Sequence, residues 1–201
     1  MIKTKVFFIF LLFCPLFTWG IQVDLTSAIE LYEKGNYKES YLLFYQIQER
    51  EPSAEVYFYL GNIAAFMDKF QEAEYWYKKG VVLPHSQTEN FYFNLGVLFL
   101  KNQHWKGATF YLEKLIKKTP ALRIVLNSLY YRLKEYGKAE EQIKILMKEN
   151  IDIPDEFLLP IYENYFFSFL KQNKIYEAVP VAEIIKNFPD RSTDFWENYG
   201  G

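Results

Sequence analysis

The feature that most constrains the fold is a motif that occurs twice between residues 57 and 120. The first copy consists of Tyr57, Leu60, Gly61, Phe70, Ala73, Tyr77 and Pro84, and the second of Tyr92, Leu95, Gly96, Trp105, Ala108, Leu112 and Pro120. Gly61 and Gly96 lie 35 residues apart, as do Ala73 and Ala108. A fixed period of this length is typical of stacked helical repeats, in which each unit buries its apolar face against the next.

The second half of the motif recurs outside this stretch. A small residue follows a polar turn at Ser40, Ala73, Ala108, Ala139 and Ala178, with spacings of 33, 35, 31 and 39. Apolar residues spaced three and four apart flank each turn, which indicates two amphipathic helices joined by a tight turn. The sequence therefore predicts five helix-turn-helix units, with the longest connector at residues 150–154 before the fifth.

The small residues have a packing reason. Gly61, Gly96 and the alanines are predicted to lie where the two helices of one hairpin approach closely, because a larger side chain there would hold the helices apart. Thr119 and Pro120 are predicted to end the sixth helix and begin the seventh, with threonine as the cap and proline at the first helical position. Residues 192–199 are predicted to form a short helix that caps the last pair.

The first twenty residues differ from the rest. Lys3 and Lys5 precede the uncharged run 6–17, and small residues flank Trp19 before Ile21. This order of a basic region, an apolar region and small residues predicts a signal peptide at residues 1–20 and export to a periplasmic or envelope location.

Two other interpretations of this segment stay open. The first is an uncleaved membrane anchor, since no charge occurs between Lys5 and Asp24 and a membrane span needs about 20 apolar residues. The second is lipidation of Cys14, although Phe13 is larger than the residue that usually precedes a lipidated cysteine. Either would tether the chain to a membrane through its N-terminus.

Composition limits the chemistry. Aromatic residues make up 20% of the chain and hydrophobic residues 50%, which is too apolar for a disordered chain. The formal net charge is −2, which argues against binding to nucleic acid. Cys14 is the sole cysteine, and His85 and His104 are interpreted as solvated loop residues. With no phosphate loop, nucleophile motif or metal-ligand spacing, the sequence predicts no enzyme activity, no cofactor and no metal.

These motif residues resemble the tetratricopeptide repeat (TPR), a helix-turn-helix of about 34 residues. The resemblance covers residues 21–189, is strongest in repeats two and three, and leaves residues 190–201 as cap and tail. It implies an all-α, right-handed α-solenoid of about five TPR-like repeats whose first helices line a concave groove for a protein or peptide. The implied partner-binding residues are Phe58, Asn62, Ala65, Phe66, Phe93, Asn94, Val97, Lys101, Ile124, Ser128, Tyr131 and Arg132.

One TPR subfamily holds a C-terminal carboxylate with asparagines and basic residues. Asn62 and Asn94 match that pattern, but Phe58, Ala121 and Val125 stand where the basic residues belong. A carboxylate without its cations is poorly compensated, so the sequence predicts a groove for an apolar or aromatic segment with a few backbone hydrogen bonds.

Three functions are compatible with these features. The first is an exported scaffold that binds another protein in its groove, within an envelope or periplasmic complex. The second is a membrane-tethered assembly factor that retains its N-terminus. The third is a carrier or hydrolase of a small ligand, such as a peptidoglycan fragment, in the aromatic groove.

Overall fold

The computed structural model describes residues 24–84, 88–149, 153 and 155–188, and over these residues the chain is an α-solenoid. Its helices are α1 (Leu25–Glu33), α2 (Tyr37–Arg50), α3 (Ala54–Phe66), α4 (Phe70–Val81), α5 (Thr88–Lys101), α6 (Trp105–Leu112), α7 (Pro120–Arg132), α8 (Tyr136–Lys148), α9 (Asp155–Lys171) and α10 (Ile175–Lys186). Consecutive helices pair as five hairpins, each packed on the next. The predicted fold class is confirmed.

Each hairpin turns through one residue with left-handed backbone. These residues are Gly35, Asp68, Gln103, Lys134 and Asn173, with φ between 56° and 77°. In the first turn the amide of Asn36 donates to the carbonyl of Leu31 (2.9 Å), and that of Gly35 donates to Tyr32 (3.0 Å). The same pair of bonds recurs in the other four turns, which is the Schellman helix ending. The left-handed residue lies five positions before each small residue, so the turns follow the spacing of the repeats.

The small residues do lie at the closest approach of the hairpin helices. A Cβ atom added to Gly61 would lie 2.4 Å from the Tyr77 ring, and one added to Gly96 would lie 2.5 Å from Leu112 Cδ2. Ala73, Ala108 and Ala139 are completely buried. In the first repeat a hydrogen bond replaces the glycine contact, since Ser40 Oγ donates to the Ala28 carbonyl at 2.8 Å.

The apolar core has two parts. One continuous cluster runs from Ala28 in α1 to Ala139 in α8, and a second joins Ile143 in α8 to α9 and α10. The division falls within repeat four, where the spacing of the small residues also changes. Helix α8 therefore connects a regular N-terminal stack to a C-terminal hairpin with its own core.

The prediction that the sixth helix runs to Thr119 is wrong, because α6 ends at Leu112. Leu115 turns inward and is buried, while Ile116 remains 86% exposed. The amide of Ile116 donates to Glu89 Oε1 of α5 at 2.5 Å, and Lys118 Nζ donates to the carbonyls of Glu113 and Leu115. Side chains thus satisfy backbone groups that another helical turn would have paired. The prediction that Thr119 caps α7 is confirmed, since its side chain accepts from the Leu122 amide at 3.3 Å.

Several sequence predictions concern residues outside the described part. These are the signal peptide or anchor at residues 1–20, Cys14, His85, most of the connector at 150–154, and the capping helix at 192–199. Among the helices that the structure describes, none combines the length and the apolarity that a membrane span requires.

Candidate functional site

The first helices of neighbouring repeats contact each other, α3 with α5 and α7 with α9, and so line one side of the stack. Two cavities open on them. The first cavity has a volume of about 240 Å³ and is lined by Asn62, Ala65, Phe66, Tyr77, Asn94, Val97, Leu98 and Lys101. The second cavity has about 320 Å³ and is lined by Leu100, Trp105, Ile124, Val125, Ser128, Leu129, Arg132, Phe157, Pro160 and Ile161.

A hydrogen-bonded amide pair forms the polar part of the first cavity. Asn62 Oδ1 accepts from Asn94 Nδ2 of the next repeat at 2.8 Å and from the Tyr77 hydroxyl at 2.8 Å. Burial raises the pKa of Tyr77, so its hydroxyl stays protonated and remains a donor. Asn94 Oδ1 has no hydrogen-bond partner among the residues that the structure describes. One amide oxygen is therefore left to accept a bond from a ligand.

The apolar part of this site is unusually exposed. Phe66 and Val97 of the cavity lining are 58% and 44% exposed, and Phe93, which lies outside the lining, is 51% exposed. Phe66 stacks on Tyr37 with ring centroids 5.0 Å apart, which fixes its ring at one end of the site. Phe93 lies one helical turn before Val97, so both side chains project from the same side of α5. Exposed apolar side chains grouped in this way are typical of binding surfaces.

Lys101 closes the first cavity but its charge is paired. Lys101 Nζ lies 2.5 Å from Asp68 Oδ1, which is contributed by the turn of the preceding repeat. The pair is exposed to solvent and links the ends of α3 and α5. The first cavity is thus apolar, with an amide pair inside and a compensated ion pair at its edge.

Two further residues of the predicted set line neither cavity and make aromatic contacts with the next repeat. Phe58 is half-buried and packs edge-on against Phe91 of α5, with centroids 5.5 Å apart. Tyr131 packs against Tyr136 and against Phe167 of α9, at 5.6 and 6.5 Å. Their rings join neighbouring first helices and position the walls of the site.

The second cavity contains three residues predicted from the sequence, Ile124, Ser128 and Arg132. The Arg132 guanidinium lies over the face of Trp105, with Cζ 5.1 Å from the ring centroid. Such cation–π contact orients a guanidinium while leaving its N–H groups available. The remaining walls are apolar and come from α5, α6, α7 and α9.

Sequence reasoning missed lining residues that belong to other elements. Tyr77 is part of the packing motif, and its hydroxyl donates to Asn62 in the first cavity. Trp105 is a repeat aromatic, and Phe157 and Pro160 come from the irregular first helix of repeat five. The exceptional size of Trp105 at a position occupied by Phe70 and Tyr136 elsewhere is the one available signal.

The two histidines and the acidic residues are also candidate metal ligands. No group of three or more such residues occurs in the part of the chain that the structure describes. His104, interpreted from sequence as a solvated loop residue, is exposed, and its Nδ1 also accepts from the Gly107 amide at 3.2 Å, capping α6.

Solved structures with the same fold support this architecture. A structure described as MamA AMB-1 has 16% identity and a TM-score of 0.64, over 85% of this chain and 92% of that one. YrrB, described as a TPR protein with an unusual peptide-binding site, also has 16% identity and a TM-score of 0.64, over 83% and 85%. A further MamA structure has 17% identity and a TM-score of 0.59, over 86% and 91%.

These similarities concern the fold. No protein-family model matches the sequence, and no curated protein matches it either. The chain is therefore similar to TPR proteins in its three-dimensional arrangement, with a sequence that has diverged from the solved examples.

Proposed function

We propose that this chain is a TPR-type scaffold that binds a segment of another protein along α3, α5 and α7. The observation that carries the proposal is the exposure of Phe66 and Val97 in the lining of the first cavity, together with the exposed Phe93 one helical turn before Val97. YrrB, which has a similar fold, is described as having a peptide-binding site, and this supports a peptide or protein as the ligand class.

The site is suited to an apolar anchor with backbone hydrogen bonding. An apolar side chain placed between Phe66 and Val97 would cover their exposed surface, and complete burial of such a side chain is worth about 1.5–3 kcal/mol. Asn94 Oδ1 lies beside this surface and would accept a bond from the backbone amide of the bound segment. The Asn62 amide stays engaged with Tyr77 and Asn94, so the site is preorganised.

Site-specific photo-crosslinking tests the proposal directly. A photoreactive benzoylphenylalanine replaces Phe93 in the full chain, in its native host. The matched control replaces Phe110, which is 54% exposed but lies on α6, the second helix of the hairpin, whereas Phe93 lies on α5 one helical turn from Val97 of the first cavity. We expect a discrete crosslinked protein from position 93 that is absent from position 110.

A second substitution separates specific binding from adhesion. Val97→Asp adds a charge to the first cavity and should abolish the crosslink at position 93, with the helical circular dichroism unchanged. Equal crosslinking from positions 93 and 110, or a crosslink that survives Val97→Asp, contradicts the proposal.

We further propose that the scaffold works after export, in the periplasm or envelope. Lys3 and Lys5 followed by the apolar run 6–17 support this. Mass spectrometry of the chain purified from its host tests it, with Ile21 expected as the first residue. A retained Met1 indicates a membrane anchor instead, and a lipid on Cys14 indicates a lipoprotein. Either result would contradict the cleaved, exported scaffold and support a membrane-tethered assembly factor.

A further inference from the structure

We infer that the second cavity binds an apolar side chain whose neighbouring carboxylate pairs with Arg132. The bound segment is then acidic at its α7 end and uncharged where it crosses α3 and α5. This inference rests on the proposed function and specifies the chemistry of the partner. The inference rests on a difference between the two cations that border the cavities. One is already paired with a carboxylate of the protein, and the other is not.

The walls of the second cavity favour an aromatic or branched apolar side chain. Its volume of about 320 Å³ lies at the lower end of the range found for ligand pockets. Aliphatic residues from α5, α7 and α9 surround it, and Trp105 and Phe157 add two aromatic surfaces. The Ser128 hydroxyl and the Trp105 indole N–H are the only uncharged polar groups among the lining side chains. A ligand group inside this cavity is therefore apolar.

Arg132 supplies a positive charge at the edge of that cavity. Its guanidinium rests on the Trp105 ring at 5.1 Å, and among the described residues no carboxylate forms an ion pair with it. A guanidinium has five N–H donors in a planar fork that matches a carboxylate. Stacking on one face leaves the edges of this fork available to an incoming acid.

Lys101 at the first cavity provides the contrast. Its ammonium group is already paired with Asp68 at 2.5 Å, so a ligand carboxylate there would compete with a carboxylate of the protein. The two cavities share α5 as a common wall, through Leu98 and Leu100. A segment that occupies both therefore meets an uncompensated charge only at Arg132.

A carboxylate fits this site better than a phosphate group. Arg132 is the only cation among the residues that line the second cavity, and the dianionic phosphate is usually held by several donors and charges. One guanidinium beside an apolar cavity matches one carboxylate on an apolar residue. The occupant is accordingly an apolar residue next to Asp or Glu within the bound segment.

A matched pair of small probes tests the inference on the full chain in detergent solution. N-acetylphenylalanine carries the carboxylate, and N-acetylphenylalaninamide has the same ring and shape without the charge. Isothermal titration calorimetry should show that the acid binds about fivefold more tightly than the amide. This preference should decrease as salt is raised, because the ion pair is exposed.

One arginine variant and one lysine variant show which cation binds the carboxylate of the probe. Arg132→Met keeps the apolar stem over Trp105 and should abolish the preference for the acid. Lys148→Met, at an exposed lysine of α8 that lines neither cavity, should leave it unchanged. Equal affinities for the two probes, a preference that persists in Arg132→Met, or no saturable binding up to about 5 mM overturns the inference.

The crosslinking experiment distinguishes this failure from failure of the proposed function. A specific crosslink at position 93 together with probes that do not discriminate would retain the scaffold and remove the acidic specificity. Probe discrimination without any crosslink would retain the Arg132 site and remove the protein partner. Circular dichroism of each variant verifies that the helices are intact.

Discussion

The hairpins of repeats two and four solve the same packing problem with different chemistry. In repeat two, Gly61 allows the Tyr77 ring to contact α3 directly. In repeat four, Asn127 stands at the equivalent position, is fully buried, and donates from Nδ2 to the Ala139 carbonyl of α8 at 2.9 Å. The hairpin of repeat two is closed by an apolar contact, and the hairpin of repeat four is closed by a buried hydrogen bond.

The comparison extends to the contacts between repeats. Asn94 of α5 and Asn164 of α9 occupy equivalent positions, and each donates its amide to an asparagine of the preceding first helix. Asn94 donates to Asn62 at 2.8 Å, and Asn164 donates to Asn127 at 3.1 Å. In repeat two the acceptor lies one residue after the glycine and lines the open cavity. In repeat four the acceptor occupies the glycine position itself and lies inside the hairpin. A shift of one residue therefore separates an amide pair that lines an open cavity from one that lies inside a hairpin.

The largest effect is expected from Gly61→Ala. The new Cβ would lie 2.4 Å from two carbons of the buried Tyr77 ring, and that ring is also held by its bond to Asn62. We expect a loss of about 3 kcal/mol in the free energy of unfolding, measured by urea denaturation. The control is Gly137→Ala in α8, where the nearest atom is Gln172 Oε1 at 3.8 Å. It should stabilise the protein by about 0.5 kcal/mol, and equal effects of the two variants would refute the packing argument.

The second largest effect is expected from Asn127→Ala, which tests the hydrogen bonds that close the hairpin of repeat four. The change removes one buried and one partly buried hydrogen bond and leaves the Asn164 amide without its acceptor. We expect a loss of about 2 kcal/mol in unfolding free energy. In a double-mutant cycle, Asn127→Ala and Asn164→Ala should couple by about 1 kcal/mol. Strict additivity of the two changes would show that the bond between the repeats contributes nothing.

Glu140 allows the comparison between repeats two and four to be tested through the pH dependence of stability. Its side chain is 5% exposed and accepts from Lys144, from Lys174 at 2.8 Å and from Gln172 at 3.0 Å. Burial raises the pKa of this carboxyl, but the bonds from Lys144, Lys174 and Gln172 outweigh burial and leave the pKa below its ordinary value. A lowered folded-state pKa means that the stabilisation is complete above the unfolded-state value and is lost as pH falls.

Glu140→Gln should therefore cost about 1.5 kcal/mol at pH 7. The difference from the natural chain should shrink as pH falls below about 4.5. Glu74 occupies the equivalent position in repeat two and pairs with Lys78 at 2.5 Å on a more exposed surface. Glu74→Gln should cost clearly less, and urea denaturation across the pH range compares the two. A difference that is independent of pH would contradict the role assigned to the Glu140 carboxylate.

The smallest effect is expected at the hairpin turns. Lys134 has φ of 62° in the turn of repeat four, where the first repeat has Gly35. Lys134→Gly should stabilise the protein by about 0.7 kcal/mol, because a left-handed conformation costs a residue with a side chain about 1–2 kcal/mol and glycine offsets part of that gain through backbone entropy. Asn173→Gly should gain less, since asparagine tolerates this conformation. Thermal denaturation ranks the two variants, and a destabilised Lys134→Gly would refute the argument.

The regular features of the fold were predictable because they repeat. The spacing of Gly61, Gly96 and the alanines placed the helix pairs and their closest contacts correctly. The early end of α6 was not predictable, since it depends on Glu89 reaching the Ile116 amide across 27 positions of the chain. The left-handed turn residues were also missed, because four of the five are not glycine.

The candidate site was predicted in part. Asn62, Ala65, Phe66, Asn94, Val97 and Lys101 were expected to face one groove, and they line the first cavity together. Their partner-binding role stays a prediction. The bond between Asn62 and Asn94 was not foreseen, nor was the compensation of Lys101 by Asp68. Both contacts join different repeats, so they depend on how far one repeat is rotated relative to the next.

The sequence by itself determined the helices, the hairpins and the number of repeats, because each follows from local periodicity and from small residues at fixed intervals. Only the tertiary structure decided which polar groups compensate one another. It paired Lys101 with Asp68, placed Glu140 among three donors, and set Arg132 on Trp105 without a carboxylate among the described residues. Apart from the local pair of Glu140 and Lys144, such contacts depend on distances between side chains that are more than 20 residues apart. The repeat pattern specifies the stacking of helices without specifying those distances.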